Sequence, residues 1–175
     1  MIHIVILSNL KYPYGTLRNR SFTLIELIMV MAVIAIIAVV VSISPGPNKL
    51  IGVTNKLMFD LRYAQQLAVS RQVNCGLSFN SSGNSYFVYI GNISTIAADP
   101  HTAGELSIDF DTGSEYSGIS LSSTNFGDRI YFDALGAPYN NTNTLLAGQG
   151  VITLADGAYT KTVTIEPNTG QVKIP

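Results

Sequence analysis

Glu26 is the residue whose placement asks for a chemical reason. It lies in Ser21-Phe22-Thr23-Leu24-Ile25-Glu26-Leu27, and no polar side chain occurs from Leu27 to Val41. A carboxylate in a membrane-grade segment costs about 2.5–3.5 kcal/mol on insertion scales. Pairing with a cation lowers that cost, so the chemistry open to Glu26 is ion pairing. The other reactive residues form no constellation. Cys75 is the single cysteine, which excludes an intrachain disulfide, and it reads as a buried, unreactive thiol. His101 is the one histidine after the apolar run. No base, nucleophile or zinc-ligand spacing accompanies it, and it reads as a solvated loop residue. Asp109-Phe110-Asp111-Thr112-Gly113-Ser114-Glu115 alternates carboxylates as a calcium loop does. An EF-hand needs Asp or Asn at its fifth position and Gly at its sixth, where Gly113 and Ser114 stand. The segment therefore reads as an acidic turn. No catalytic residue, cofactor or metal site is expected.

The element that carries Glu26 is the apolar run itself. Phe22 to Ile43 as a helix would be about 33 Å long at roughly 1.5 Å per residue, close to a hydrocarbon core of about 30 Å. Lys11, Arg18 and Arg20 all precede it, which places the N-terminal side in the cytoplasm under the positive-inside rule. Three other readings fit less well. A secretory signal peptide would be cut after Ser42-Ile43-Ser44, leaving Pro45 first, and would have no use for Glu26. A plain membrane anchor also leaves Glu26 unexplained. A buried core helix would not be apolar on every face over this length.

After the run the character changes. From Pro45 onward there are ten acidic and seven basic residues, a net charge of −3. That argues against a broad nucleic-acid surface, which needs clustered Lys and Arg. Ser44-Pro45-Gly46-Pro47-Asn48 interrupts the helix. Leu50, Val53, Leu57, Leu61, Ala64 and Ala68 then recur at spacings of three and four, one apolar helical stripe. Asn48, Lys49, Lys56, Asp60, Gln66 and Ser70 are expected on the opposite side. Beyond Gln72 short runs rich in Val, Ile, Tyr, Phe and Thr alternate with turn residues. The expected strands are 73–79, 86–90, 106–110, 118–122, 129–132, 151–154, 159–165 and 171–174. Glu166-Pro167-Asn168-Thr169-Gly170 is a hairpin loop, and 91–104 and 134–150 read as longer loops. The tyrosines of this part read as core or cross-strand residues.

Residues 21–27 with the helix behind them resemble the class III signal of type IV pilins and pseudopilins. The resemblance implies a prepilin peptidase cut between Ser21 and Phe22, N-methylation of Phe22, and Glu26 as the family's glutamate. The residue before the cut is usually Gly; here it is Ser21, also small. In that family the new amine pairs with the glutamate of a neighbouring subunit in a helical filament. Glu26 would then set the register of assembly.

Leu61 to Cys75 and the closing Asn168-Thr169-Gly170-Gln171-Val172 resemble the GspH/FimT group of minor pseudopilins and minor pilins. Ala64, Ala68, Arg71 and Val73 fit its helix-to-strand pattern, while Gln65 stands where Arg is common. The implied fold is α+β: a long N-terminal hydrophobic helix, the membrane and filament spine, packed on a C-terminal antiparallel β domain. The implied parts are a prepilin leader (1–21), the transmembrane part of the helix (22–43), a kink and amphipathic helix (44–72) and a β domain (73–175). The implied function is a non-enzymatic subunit of a type II secretion pseudopilus or a type IV pilus. Its partners would be prepilin peptidase, other pilins or pseudopilins and, before assembly, inner-membrane lipid. It would be a single-pass protein of the bacterial inner membrane with a cytoplasmic leader and a periplasmic body. The alternative is a DNA-binding minor pilin for natural transformation. For that role the segment after Tyr159 offers only Lys161 and Lys173, with Glu166 between them.

Overall fold

The computed structural model describes residues 23–41, 46–111 and 115–175. The chain divides into two compact units, Met1–Ile43 and Ser44–Pro175.

In the first unit the described element is α1 (Leu24–Val41), 18 residues. Thr23 caps it: the Glu26 amide donates to Thr23 Oγ1 at 3.3 Å and to the Thr23 carbonyl at 3.1 Å. A Thr followed three residues later by Glu is a helix-start signature. A carboxylate in the first turn also meets the positive end of the helix dipole. Every described side chain from Leu24 to Ile37 is exposed. Among the described residues no helix is long and apolar enough to cross a membrane. The expected span 22–43 takes in residues 22, 42 and 43, which lie outside them, and 18 residues reach only about 27 Å.

The second unit holds α2 (Gly46–Arg71) and ten strands. Pro47 falls in the first turn of α2, where a missing N–H costs nothing. Gln72 ends the helix in the left-handed region (φ 55°). Its Nε2 donates to the Val69 carbonyl at 2.7 Å, satisfying an orphan acceptor of the last turn. The stripe Leu50, Val53, Leu57, Leu61, Ala64 and Ala68 is buried as the spacing predicts.

One sheet combines β1 (Cys75–Asn80), β2 (Ser85–Ile90), β3 (Asn92–Ile96), β4 (Ser107–Asp109), β6 (Arg129–Phe132) and β7 (Pro138–Asn140). Its order is β3-β2-β1-β6-β7, with β4 also pairing with β2. The other sheet is β10-β9-β8-β5, from β5 (Ser120–Thr124), β8 (Gly150–Asp156), β9 (Tyr159–Ile165) and β10 (Val172–Lys173). All pairings are antiparallel. α2 packs against strands of both sheets. Leu77, Phe79, Tyr86, Val88, Ile130 and Phe132 from one meet Ile152, Leu154, Val163 and Ile165 from the other in a single core. The expected α+β architecture is present, and its packed helix is the amphipathic α2.

Several expectations need correction. The segments read as loops at 91–104 and 134–150 each contain a strand. β3 has four of its five residues exposed, so no core face marks it. β7 opens on Pro138, which is tolerated because the strand lies at a sheet edge. Other strand ends shift slightly; β1 starts at Cys75 and leaves Val73 exposed. Asp60, expected on the polar side of α2, is buried beside Leu57 and Leu61. One turn of helix carries it to the border of the apolar stripe, and partners described below hold it there.

Candidate functional site

Glu26 is the candidate that the structure describes. It projects from the first turn of α1 and is exposed. With Met29, Val30, Val33 and Ile34 it lines one face of that helix. The carboxylate heads an apolar stripe on that face. Ser21 and Phe22 lie outside the described residues.

Asp60, Lys56 and Tyr86 form a cluster that sequence reasoning missed. Lys56 Nζ donates to Asp60 Oδ1 at 2.6 Å, and the buried Tyr86 hydroxyl donates to Asp60 Oδ2 at 2.8 Å. Burial raises the Asp60 carboxyl above its ordinary 3.8, opposed by the bonds to Lys56 and Tyr86. Burial, with Asp60 beside it, pushes the Tyr86 phenol well above 10. The Lys56–Asp60 spacing of four residues was the readable signal. Tyr86 stacks obliquely on Phe79 and Phe110, with ring centroids 6.0 and 5.8 Å away. The cluster is therefore a structural bond between α2 and β2.

A second set of polar contacts pins the C-terminal half of α2. Gln65 Nε2 donates to the Gly136 carbonyl at 2.9 Å and to the Thr169 carbonyl at 3.0 Å. Arg62 donates to the Val172 carbonyl at 2.8 Å. Gln65 so joins the β6–β7 turn and the β9–β10 loop to one helix position. Gly170, at φ 65°, must be glycine there: a Cβ would crowd the Gly136 carbonyl and Gln65. Gln65→Ala should lower stability by about 1–3 kcal/mol, two hydrogen bonds at roughly 0.5–1.5 each. Denaturant unfolding checks this, and an unchanged midpoint would refute the clamp.

Cys75 and His101 take the places read for them. Cys75 is free and buried, and burial raises its thiol. His101 is exposed on a loop; its amide donates to Asp99 Oδ1 at 2.8 Å, which lowers the Asp99 carboxyl. The Asp109 carboxylate accepts the Asp111 amide at 2.8 Å, and residues 112–114 of the acidic segment lie outside the described residues. Among the described residues no cluster of His, Cys, Asp and Glu is arranged to hold a metal ion. Tyr131 and Tyr139 stack across β6 and β7 with centroids 5.3 Å apart, whereas Tyr159 is exposed. Lys161 and Lys173 are exposed, and Lys173 sits 3.4 Å from Glu166.

An amphipathic helix laid on antiparallel sheets, in a chain with a capped apolar helix before it, defines a pilin-like architecture. Comparison with known proteins agrees. The prokaryotic N-terminal methylation motif matches residues 16–42, and the type II transport protein GspH family matches residues 53–169. The second match spans more than half of the chain, which belongs to this family. The minor pseudopilin EpsH of the Vibrio cholerae type 2 secretion system shares the fold at 9% identity and a TM-score of 0.53, over 73% of this chain and 96% of that one. The type IV minor pilin FimU of Pseudomonas aeruginosa does so at 15% identity and a TM-score of 0.50, over 74% and 90%. A search among curated proteins gave no match. By family the chain is a structural subunit of a type II secretion pseudopilus or a type IV pilus, not an enzyme. It associates with other pilins or pseudopilins and is anchored at the inner membrane before assembly.

Proposed function

We propose that prepilin peptidase cuts this chain between Ser21 and Phe22, that the Phe22 amine is methylated, and that Glu26 pairs with the same amine of a neighbouring subunit. The observation that carries this reading is the methylation motif, whose match at 16–42 encloses Ser21, Phe22 and Glu26. The chain crosses the inner membrane once, leader in the cytoplasm and body in the periplasm. Basic Lys11, Arg18 and Arg20 before the apolar run support that orientation. Exposure of every described side chain of α1 from Leu24 to Ile37 supports a surface meant for lipid first and for neighbouring helices afterwards.

The test is the mature N-terminus. Mass spectrometry of the membrane protein from cells with active prepilin peptidase should show a chain beginning at methylated Phe22. An intact 1–21 segment, or a start at Pro45, would overturn the reading. Ser21→Gly should be processed at least as well, and a bulky residue at position 21 should block cleavage.

A further inference from the structure

The outer face of the first sheet, opposite the core-facing Leu77, Val88 and Ile130, carries a cleft that the assembly reading does not use. Residues in register share a face of an antiparallel pair. One row across the strands is therefore Tyr89, Gly76, Tyr131 and Tyr139. The next is Phe87, Ser78 and Arg129. At Gly76 a Cβ would fall on the Ile130 carbonyl and the Tyr131 backbone, so the position stays bare between two tyrosines. Arg129, Tyr89, Tyr131, Asn74 and Asn143 line a cavity of about 100 Å³ there.

Arg129 is the unusual member. Its Nη2 donates to the Asn141 carbonyl at 3.0 Å. Its Nε is buried and has no hydrogen-bond partner. Among the described residues no carboxylate lies within ion-pair distance of it. A buried guanidinium N–H without an acceptor is costly, and such groups in native proteins call for a missing partner. The guanidinium edge matches a carboxylate in shape, planarity and charge. Burial raises the Tyr89 phenol to about 12 and raises Tyr131 as well. Both rings therefore stay protonated and can donate. One cation with neutral donors suits a singly charged acceptor, and the volume admits a carboxylate with a methylene or two.

We propose that this cleft is a carboxylate receptor, taking the tip of a Glu or Asp side chain presented by another protein chain. The inference stands apart from the processing and assembly reading, since it rests on the sheet and not on α1. The mild negative charge of the body gives no general attraction for acids, so recognition is local to Arg129.

The test follows the Arg129 Nε–Hε resonance of the ¹⁵N-labelled full chain in detergent micelles. The additions are acetate, a doubly capped alanine peptide with one central Glu, and inorganic phosphate. Acetate and peptide should both shift the resonance saturably, with the peptide at least about tenfold tighter because its backbone adds contacts. Arg129→Lys, which lacks the planar fork, should weaken peptide binding about tenfold with other amide signals unmoved. Tyr89→Phe should weaken it a few-fold, independently of any effect of the lysine variant on folding. An Arg129 resonance that moves with neither acetate nor peptide overturns the proposal. Tighter binding of phosphate overturns the carboxylate assignment. Equal affinity for acetate and peptide overturns the protein-borne source in favour of a free carboxylate.

Discussion

Glu26→Ala should leave cleavage intact and abolish incorporation into the filament. Under the proposed pairing the substitution removes the acid and strands the methylated Phe22 amine of a neighbour among apolar helices. Breaking a buried pair by deleting one partner costs about 3–5 kcal/mol. Each 1.4 kcal/mol or so is tenfold in an association constant, so assembly should fall by roughly a hundredfold or more. The helix itself should survive. The Thr23 cap uses the backbone amide of residue 26, not its side chain, and alanine is the best helix former. Cleavage should persist because the acid lies beyond the scissile bond, and insertion should become easier without a charge to bury. Glu26→Gln should fall between, since an amide accepts a hydrogen bond but brings no charge. The measurement is co-purification of each variant with its filament partners from membranes, with the N-terminus sequenced in parallel. Processed Glu26→Ala that is incorporated normally would show that the acid does not set the register. A subunit at the filament tip, with neighbours on one side only, would be the least sensitive.

What the sequence makes legible follows from the range over which each signal acts. The α2 stripe is a local, periodic property of one segment, and all six of its residues are buried as read. The strands 129–132 and 159–165 are dense in β-formers and emerge with the expected ends. β3 has no such signal, because its exposed Asn, Ser and Thr owe their strand conformation to hydrogen bonds with β2. β7 depends likewise on the free edge of β6. Glu26 stands out in the sequence because its anomaly is local: one acid beside fifteen apolar residues. Gln65 showed only as a departure from a pattern. Its role as a clamp needs two loops 71 and 104 residues downstream, which no spacing rule brings together. Arg129 and Gly76 are alike in this. Their juxtaposition is set by strand register, and register is decided by the whole sheet.

Asp60 shows the same limit, and it makes the last prediction. Burial raises its carboxyl above the unfolded value near 3.8. A group raised in the folded state contributes its full stability below the unfolded value, and that contribution is lost as pH rises through the folded one. At neutral pH the ionised Asp60 is therefore a net burden that Lys56 and Tyr86 reduce. Lys56→Met keeps the aliphatic length and the helix propensity but removes the cation 2.6 Å away. It should cost about 3 kcal/mol at pH 7, the lower end for breaking a buried pair, because Lys56 is about a quarter exposed (26%). The cost should shrink as pH falls through the raised Asp60 value and vanish well below 3.8, where Asp60 is protonated with or without Lys56. Asp60→Asn should be close to neutral or stabilising at pH 7, since the amide oxygen still accepts from Tyr86 and no charge is buried. In the double variant the loss of Lys56 should cost little, giving a coupling of nearly the full value, about 3 kcal/mol, between the two positions. Urea unfolding of the four proteins at neutral and acid pH measures this. A Lys56→Met cost that does not change with pH, or that persists in full in the Asp60→Asn background, would mean that Lys56 acts through packing of its methylene chain and not through the Asp60 carboxylate.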